Sequence, residues 1–388
     1  MDDRQPFDAV LVVGFGGPAG PADVRPFLAN VLRGRRVPPH RVEEVAANYM
    51  RFGGVSPFTE ITRRQAAGLQ ERLRRAGAAM PVYVGMRNWH PYLIDTLREM
   101  SVKGHRRAIG FIAAAHHSYS SCQQYKENVR DARRQIVGEG HADVEVTYVD
   151  SWYDHPLFIE TIHRHTAAAL ERLPEELRAT ARIVFTAHSL PLSLAQQCRY
   201  EEQLRETIER VMQRVADRPE ERKTDRLEAG PTQIWGAGIP ARLGRTDRPE
   251  AGPTGTAAGP TQNRTGSDRL EAGPTTREWA LVYQSRSGLP SEPWLEPDIR
   301  DYLRAERAAG LAAAVVVPVG FICDHIEVLF DLDTQAAALA REIGLVMVRA
   351  DTAGDDPLFI DMMADVVLAK VNRHRRFPAM PIVSGLGW

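Results

Sequence analysis

Eight short apolar runs, rich in β-branched residues, recur along the chain and are separated by longer amphipathic stretches. Continuous apolar runs of this length are typical of parallel strands buried on both faces, because an exposed face would require alternating polar residues. The pattern therefore predicts an α/β fold. The predicted strands are Ala9–Val13, Val82–Gly85, Ala108–Ala114, Val144–Val149, Arg182–Thr186, Ala280–Tyr283, Ala313–Pro318 and Leu345–Val348.

The stretches between these runs carry a helical period, and the strand–helix alternation falls into two sets of four strands. The first strand of each set ends in a turn followed by proline, GFGGP at 14–18 and AHSLP at 187–191. Alternation alone is generic to α/β proteins, but the paired layout predicts a duplicated, doubly wound fold whose ligands bind beyond the carboxyl ends of the strands. The clearest helical stripe is formed by Val24, Phe27, Leu28, Val31 and Leu32.

The duplication divides the chain into three predicted parts. An N-terminal half covers residues 1–158, a C-terminal half covers 159–355, and a C-terminal helix and tail at 356–388 pack back on the body. Each half is expected to hold a four-stranded parallel sheet flanked by helices.

One segment of the C-terminal half differs from the rest. TDRLEAGPT at 224–232 recurs as TDRPEAGPT at 246–254 and as SDRLEAGPT at 267–275. These units carry at most one leucine, so they cannot build a stacked apolar core, and their composition is typical of disorder. We predict that residues 217–277 form a disordered insert between a helix and a strand.

Composition and charge exclude several classes of protein. Of the 388 residues 43% are hydrophobic, and the net charge of −1 offers no attraction to nucleic acid or to an anionic membrane. The chain starts with acidic residues where a signal peptide is basic, and no apolar run is long enough to form a transmembrane segment. Cys122, Cys198 and Cys323 are scattered and odd in number, which favours a reducing compartment. We therefore expect a cytoplasmic globular protein.

The richest strand end is VVVPVGFICDHIEVLFDLD at 315–333. A helix is predicted to begin near Asp324, which is a good N-cap residue. Asp324, Glu327 and Asp331 would then lie on one helical face, with His325 beside them. Such a row can bind a divalent cation or relay protons, whereas the alternative is a solvated acidic face. Its place after a buried strand favours the functional interpretation.

His188 directly follows the fifth predicted strand, where an imidazole can accept a proton or bind a metal. A lone histidine is more often only hydrogen-bonded, so both interpretations stay open. Ser189 lacks the Gly-x-Ser-x-Gly pattern of a nucleophile, and the turn at 14–18 lacks the Gly-x-Gly-x-x-Gly pattern of a dinucleotide site.

Other residues can line a ligand. In HHSYSSCQQY at 116–125 the adjacent histidines point to opposite sides, and Tyr119 or Tyr125 can contact a flat substrate. Two further groups of residues can bind the carboxylates of a ligand, because a guanidinium matches the geometry of a carboxylate. The alternative is that their arginines are exposed residues with a structural role. The two groups are Arg33, Arg35 and Arg36 after the first helix, and Tyr49, Arg51 and Ser56 in YMRFGGVSP.

Together these motifs resemble the ferrochelatase family. The resemblance is carried by RFGGVSP, FTAHSLP, YQSRSGLPSEPWLEPD and GFICDHIEVLFDLD, and it extends from GFGGP to PLFID near Asp361. The sequences GFGGPAGP, FLANVLRGR and SCQQY resemble the bacterial coproporphyrin-using branch of the family more than the mitochondrial enzymes. The resemblance implies a fold of two Rossmann-like, chelatase-like halves with a cleft between them. It also implies that the protein inserts Fe²⁺ into a porphyrin in haem biosynthesis, and that this porphyrin is coproporphyrin III rather than protoporphyrin IX.

By motif match, the resemblance implies that His188 and Glu327 are the catalytic residues, which bind the metal and handle protons. Asp324, His325 and Asp331 would extend the row as supporting residues.

The porphyrin-binding positions implied by the resemblance are Phe15, Arg33, Tyr49, Ser56 and Tyr125. Two positions depart from the family pattern. Phe15 stands where some coproporphyrin-type enzymes have a tyrosine that coordinates the bound iron, so this ligation is impossible here. Gln335 stands where some have a carboxylate, which weakens any outer metal site.

The resemblance also bears on cofactors and partners. Some related bacterial enzymes carry an iron–sulfur cluster, but three scattered cysteines are too few for four thiolates, so we expect no cofactor beyond substrate Fe²⁺. The expected partners are the porphyrin, ferrous iron and, transiently, other haem-pathway enzymes. The alternatives are a chelatase for another metal or tetrapyrrole, and a non-catalytic haem-binding protein, against which His188 and Glu327 argue.

Overall fold

The computed structural model of the chain describes residues 6–34, 37–216, 277–287 and 292–377. The insert predicted at 217–277 lies outside these ranges except for Arg277, and Arg35, Arg36 and the tail from residue 378 also lie outside them.

The eight predicted strands are confirmed, each within two residues of its predicted ends. They are β1 (Ala9–Gly14), β2 (Val82–Met86), β3 (Arg107–Ile112), β4 (Glu145–Tyr148), β5 (Arg182–His188), β6 (Trp279–Gln284), β7 (Ala313–Val317) and β8 (Val346–Arg349).

The strands form two all-parallel sheets that repeat one topology. The first sheet has the order β2-β1-β3-β4 and the second has the order β6-β5-β7-β8, so each strand of the second sheet takes the place of its counterpart in the first. This confirms the predicted pair of four-stranded sheets. The strand order reverses at β1/β3 and at β5/β7, which is where α/β sheets bind ligands. The domain limits at residues 158 and 355 stay a prediction.

Helices cover the faces of both sheets. None of the helices in the described ranges is long and apolar enough to cross a membrane. The α-helices are α1 (Val24–Val31), α2 (Pro39–Arg51), α3 (Phe58–Arg75), α4 (Leu93–Val102), α5 (Gln124–Gly138), α6 (Pro156–Glu171), α7 (Glu175–Arg178), α8 (Leu192–Ala195), α9 (Tyr200–Ala216), α10 (Ile299–Ala308), α11 (Ile326–Val328), α12 (Ala337–Glu342) and α13 (Pro357–Arg376).

Two stretches, Tyr119–Gln123 and Leu329–Ala336, are π-helical, and Pro21–Asp23 is a 3₁₀ turn. The second π-helix continues α11 without a break, and we call α11 together with Leu329–Ala336 the acid helix. A π-helical segment of this length is uncommon and often marks a functional site.

The two sheets share one apolar core. Val10 and Val12 of β1 pack in the same cluster as Phe185 of β5, while the alternate residues Leu11 and Val13 pack in a second cluster under α4 and α5. This alternation is the reason that β1 reads as an unbroken apolar run, since both of its faces are covered.

Aromatic rings fill the space that α6 and α13 share with the first sheet. Trp152 stacks on Phe111 with ring centroids 5.4 Å apart, and its edge meets Phe158 at 5.2 Å and Phe359 at 5.7 Å. These contacts join α6 and α13 to β3 of the first sheet.

Candidate active site

Three neighbouring strands of the second sheet deliver the polar residues of the site. His188 is the last residue of β5, Gln284 is the last residue of β6, and the loop after β7 leads to His325 and Glu327. β5 pairs with both β6 and β7, and Gln284 is the register partner of His188. The carboxyl ends of parallel strands meet at one edge, so residues distant in sequence come together there.

His188 and Glu327 face each other. The His188 Nε2 atom lies 3.9 Å from Glu327 Oε2, and the side chains are 32% and 50% exposed. This separation is too long for a hydrogen bond. Bonds from nitrogen or oxygen to a dication such as Zn²⁺ are about 2.0–2.2 Å, so one small cation between the two atoms would be within reach of both. The structure places the two residues side by side, while their catalytic roles stay a prediction.

The hydrogen bonds of His188 and His325 favour opposite tautomers of the two imidazoles. His188 Nδ1 lies 2.5 Å from the main-chain oxygen of Ser189, which can only accept, so Nδ1 donates and Nε2 presents a lone pair to Glu327. His325 Nδ1 accepts the main-chain N–H of Glu327 at 3.1 Å, so its proton is on Nε2, 4.0 Å from Glu327 Oε2. His188 can therefore accept a proton or bind a metal, whereas His325 points an N–H towards the carboxylate.

The acid helix begins later than the sequence predicts. The prediction that Asp324 is the N-cap is wrong, because His325 occupies that position. Asp324 therefore does not share a helical face with Glu327 and Asp331, and its carboxylate is instead bound by Arg349 at 3.2 Å. Both Asp and His offer an acceptor to the first turn, and the partner that draws Asp324 away comes from β8, which local sequence does not reveal.

Asp331 lies one turn beyond Glu327 on the acid helix. The Ser285 hydroxyl donates to Asp331 Oδ2 at 2.5 Å. Burial raises the pKa of Asp331 to about 6, the Ser285 hydrogen bond opposes this rise, and the charge of Glu327 adds to it. A carboxyl with this pKa can take up and release a proton near neutral pH.

Aromatic contacts at the site come from Phe58 and Arg51 of the N-terminal part and from Phe321 of the loop after β7. Phe321 and Phe58 pack against His325, with ring centroids 5.0 Å and 6.4 Å away, and burial lowers the pKa of His325, which favours its neutral form. The guanidinium of Arg51 lies 5.7 Å from the ring centre of Phe330, which connects the end of α2 with the acid helix.

Tyr49 and Tyr125, both predicted to contact the porphyrin, are close enough to Glu327 for its charge to affect their pKa. Burial raises the pKa of each phenol far above its usual value, and the charge of Glu327 adds to the rise. Both therefore remain hydrogen-bond donors at neutral pH. Phe15 meets Phe27 edge to face at 6.1 Å, and Phe27 in turn meets Tyr49 at 5.6 Å, so these three rings form one cluster.

Ser56 is buried against the turn that follows β1. Its main-chain N–H donates to the Pro18 carbonyl at 2.9 Å, and the residue is 5% exposed. A Cβ at Gly17 would lie 2.5 Å from the Cβ of Ser56, so this glycine of the GFGGP turn serves close packing.

Arg33 lies just after α1 and is exposed. Its guanidinium donates to Asn30 Oδ1 at 2.7 Å, and in the part of the chain that the structure describes it makes no hydrogen bond with His188 or Glu327. The structure thus places His325 and Asp331 with His188 and Glu327, and it shows Arg33 in contact with Asn30.

Two residues of the site, Gln284 and Ser285, were missed by the sequence prediction. The Gln284 side-chain amide donates to the main-chain oxygen of Glu327 at 3.2 Å, and Ser285 holds Asp331. Both follow directly from the rule that functional residues lie at the ends of parallel strands, because the YQS motif ends β6.

Known proteins resemble this chain over nearly its whole length. A family model described as Ferrochelatase matches residues 7–227 and 260–371, and the unmatched stretch lies inside the insert predicted from the repeats. The coproporphyrin III ferrochelatase of Streptomyces griseus is 39% identical over 375 residues, which cover 97% of this chain and 88% of that protein. The ferrochelatase of Rhodopirellula baltica is 39% identical over 381 residues, covering 98% and 91%.

A solved structure shares the fold. The structure described as SirB from Bacillus subtilis with Fe³⁺ has a TM-score of 0.52 and 8% sequence identity, covering 96% of this chain and 98% of that one.

Proposed function

The chain belongs to the ferrochelatase family and is a metal chelatase, and we propose that it inserts Fe²⁺ into coproporphyrin III as a step of haem biosynthesis. Relatives named coproporphyrin III ferrochelatase, 39% identical over almost the whole chain, support this substrate. The observation that carries the mechanism is the 3.9 Å gap between His188 Nε2 and Glu327 Oε2, which sets a lone pair and a carboxylate on either side of a space that fits one cation.

Iron is a substrate here and has to leave the protein for the ring. His188 and Glu327 offer one nitrogen and one oxygen donor, and in the described ranges no group of three or more His, Cys, Asp or Glu side chains is arranged to hold a metal ion. A pair of donors holds Fe²⁺ less firmly than a complete ligand set, so the four porphyrin nitrogens can displace them. The pair suits delivery of the metal rather than its storage.

Metal insertion also displaces the N–H protons of the ring. His188 Nε2 carries a lone pair that can accept a proton, and Glu327 can accept another beside the His325 N–H. Asp331, whose pKa burial raises to about 6, can then pass a proton towards solvent. A ring bound in a puckered form would turn its nitrogen lone pairs towards the metal, and binding energy would go into that distortion.

The porphyrin face of the proposed site is aromatic. Phe15 and Tyr49 offer ring surfaces to a flat ligand, and the buried phenols of Tyr49 and Tyr125 offer donors. Ser56 lies beside the first strand-end turn. Arg33, exposed at the end of α1, would bind a propionate, for which its forked donors are suited.

We extend the proposal to three further properties. Cys122, Cys198 and Cys323 are thiols rather than disulfides, which fits a cytoplasmic location. We propose no iron–sulfur cluster, because burial raises the pKa of the Cys323 thiol to about 12, which disfavours the thiolate that a cluster needs. Transient contact with other haem-pathway enzymes would shield a poorly soluble ring during transfer, and cross-linking to those enzymes would test it.

An anaerobic assay tests the proposed function. Metal-free protein is given coproporphyrin III or protoporphyrin IX with Fe²⁺ or Co²⁺, and insertion is followed by absorbance. We expect fastest turnover with coproporphyrin III and Fe²⁺. Faster turnover with Co²⁺ or with another tetrapyrrole would favour a different chelatase. Stoichiometric haem binding without any turnover would favour a haem-binding protein.

A further inference from the structure

Ser285 is the only residue other than glycine in the described ranges with a left-handed backbone, at a φ of 62°. This region is disfavoured for L side chains because the Cβ crowds the backbone, and residues kept there cluster at functional sites. Ser285 directly follows β6, beside the end of β5 that carries His188. Its conformation therefore requires a structural reason.

The reason lies in what the Gln284–Ser285 pair contacts. The Gln284 amide donates to the Glu327 main-chain oxygen at 3.2 Å, and the Ser285 hydroxyl donates to Asp331 Oδ2 at 2.5 Å. These two acceptors are one turn apart on the acid helix. Consecutive residues of an extended strand point to opposite sides, so an ordinary strand end would turn one of the two side chains away. The left-handed Ser285 lets both reach the same helix.

The Gln284–Ser285 pair also contacts the end of β5, which carries His188. Gln284 is the register partner of His188, and the Ser189 main-chain N–H donates to the Gln284 carbonyl at 2.8 Å. The strand end therefore connects His188 on one side with Glu327 and Asp331 on the other. The Ser285 hydroxyl contacts Asp331, whereas the contact to Glu327 is made by the neighbouring Gln284 side chain.

We propose that Ser285 is a positioning residue for Asp331, and that its left-handed backbone is retained because it aims the hydroxyl at that carboxylate. The inference rests on the proposed function, since Asp331 matters to turnover only if protons leave along the acid helix. The ionisable groups whose charge acts on Asp331 include Glu327, His188 and Arg300. The Ser285 hydrogen bond fixes the position of Oδ2 of this carboxylate.

The test compares Ser285→Gly with Ser285→Ala in the full chain. Both variants lose the hydroxyl, but glycine adopts the left-handed conformation without strain and alanine does not. We expect both to lose about tenfold or more in kcat, as for an impaired proton relay, with the KM for coproporphyrin III within about twofold of wild type. Wild-type kcat in Ser285→Gly would overturn the proposal, because only the backbone would then matter.

The pH profile separates positioning from general damage. The Ser285 hydrogen bond opposes the raised pKa of Asp331, so its loss raises that pKa further. We expect the acidic limb of kcat to move to higher pH in both Ser285 variants. A limb that stays in place would contradict the proposal even if kcat falls.

A measurement without turnover distinguishes this inference from the proposed function. Asp331 is titrated by carbon-13 NMR in protein with labelled aspartate and is assigned by its absence in Asp331→Asn. The midpoint is expected to rise in Ser285→Gly. If wild type inserts no metal but the midpoint rises, the proposed function fails and the Ser285–Asp331 contact stands. If wild type turns over and the midpoint is unchanged, the inference fails alone.

Discussion

Arg349 binds Asp324 through both carboxylate oxygens, with each nitrogen–oxygen distance 3.2 Å. The same guanidinium binds Asp333 at 2.7 Å, so one residue of β8 fastens the loop before the acid helix and the helix itself. The Asp324 carboxylate is therefore engaged in structure. Asp324 is therefore a matched control for Glu327, the carboxylate to which we assign a catalytic role.

We predict that His188→Ala and Glu327→Gln each lower kcat for metal insertion by about 100-fold or more, because each removes a proposed proton acceptor and metal donor. Neither side chain is buried, so both variants are expected to fold, with melting temperatures close to wild type. Asp324→Asn is expected to show the reverse: most of the turnover is kept, and the free energy of unfolding falls by about 1 kcal/mol through the weakened Arg349 pair. Turnover near that of wild type in His188→Ala or Glu327→Gln would contradict the assignment.

The strands could be predicted from sequence because they depend on local pattern, and the proximity of His188 to Glu327 could be predicted because the two residues follow neighbouring parallel strands. An unbroken apolar run such as 313–317 indicates a buried parallel strand, and the residues that follow such strands gather at one edge. The helical period likewise predicts the stripe that begins at Val24, of which the structure buries Val24, Phe27 and Leu28 and leaves Val31 and Leu32 half-buried.

The fine structure of the site could not be predicted, because it depends on distant partners. Aspartate favours the N-cap position, yet Arg349 of β8 binds the Asp324 carboxylate and His325 is the N-cap residue. Ser285 gives no local signal of a left-handed backbone, since serine is not a residue that favours this region. Each outcome is decided by tertiary contacts that no window of the sequence contains.

We predict that replacing residues 217–276 by a short Gly/Ser linker leaves kcat and melting temperature unchanged. The repeats have no apolar stripe, and each doubling of loop length costs only about 0.6 kcal/mol. The deletion has to stop before Arg277, because its guanidinium donates to the Ala181 carbonyl at 3.1 Å and also to the Arg178 carbonyl. Activity and thermal unfolding are measured on both forms.

A deletion that is one residue longer, 217–277, serves as the control. It removes the Arg277 hydrogen bonds, and we expect the free energy of unfolding to fall by about 1–2 kcal/mol relative to the shorter deletion. Lower activity in the shorter deletion would show that the repeats contribute to function.

His116 makes stability depend on pH. Burial lowers its pKa from 6.5 to about 3, and its Nε2 lies 3.1 Å from the Thr207 hydroxyl. Between these two pKa values the unfolded chain binds a proton that the folded chain does not, so protonation favours unfolding. We predict that this residue lowers the free energy of unfolding by about 1.4 kcal/mol per pH unit as the pH falls from about 6 to 4, and contributes nothing to the slope above pH 7.

His116→Gln checks this assignment, since glutamine keeps a polar group near Thr207 but does not titrate. The free energy of unfolding in urea is measured at several pH values. Below pH 6 its dependence on pH is expected to be weaker in the variant, by the amount that corresponds to about one proton. Equal slopes in wild type and variant would mean that other groups cause the acid sensitivity.

Arg33 is expected to help select coproporphyrin III, which carries propionates where protoporphyrin IX carries vinyl groups. Its guanidinium is exposed and uses one nitrogen on Asn30, so further donors of the fork point to solvent. A charge-assisted hydrogen bond contributes about 1.5–3 kcal/mol, equivalent to about tenfold or more in kcat/KM. We predict that Arg33→Ala lowers kcat/KM for coproporphyrin III by about tenfold and changes that for protoporphyrin IX little.

Salt and a neighbouring arginine provide the controls for Arg33. The effect of Arg33→Ala is expected to shrink at high ionic strength, because salt screens exposed charges over about 10 Å at 0.1 M. Arg25 lies on α1, eight residues before Arg33, but its guanidinium is paired with Glu43 at 2.7 Å, so Arg25→Ala is expected to leave the choice of porphyrin unchanged. If Arg25→Ala and Arg33→Ala have equal effects, the cause is the general positive charge of this region of the surface. If Arg33→Ala alone lowers use of coproporphyrin III, and does so most at low salt, a direct propionate contact is the explanation that fits both results.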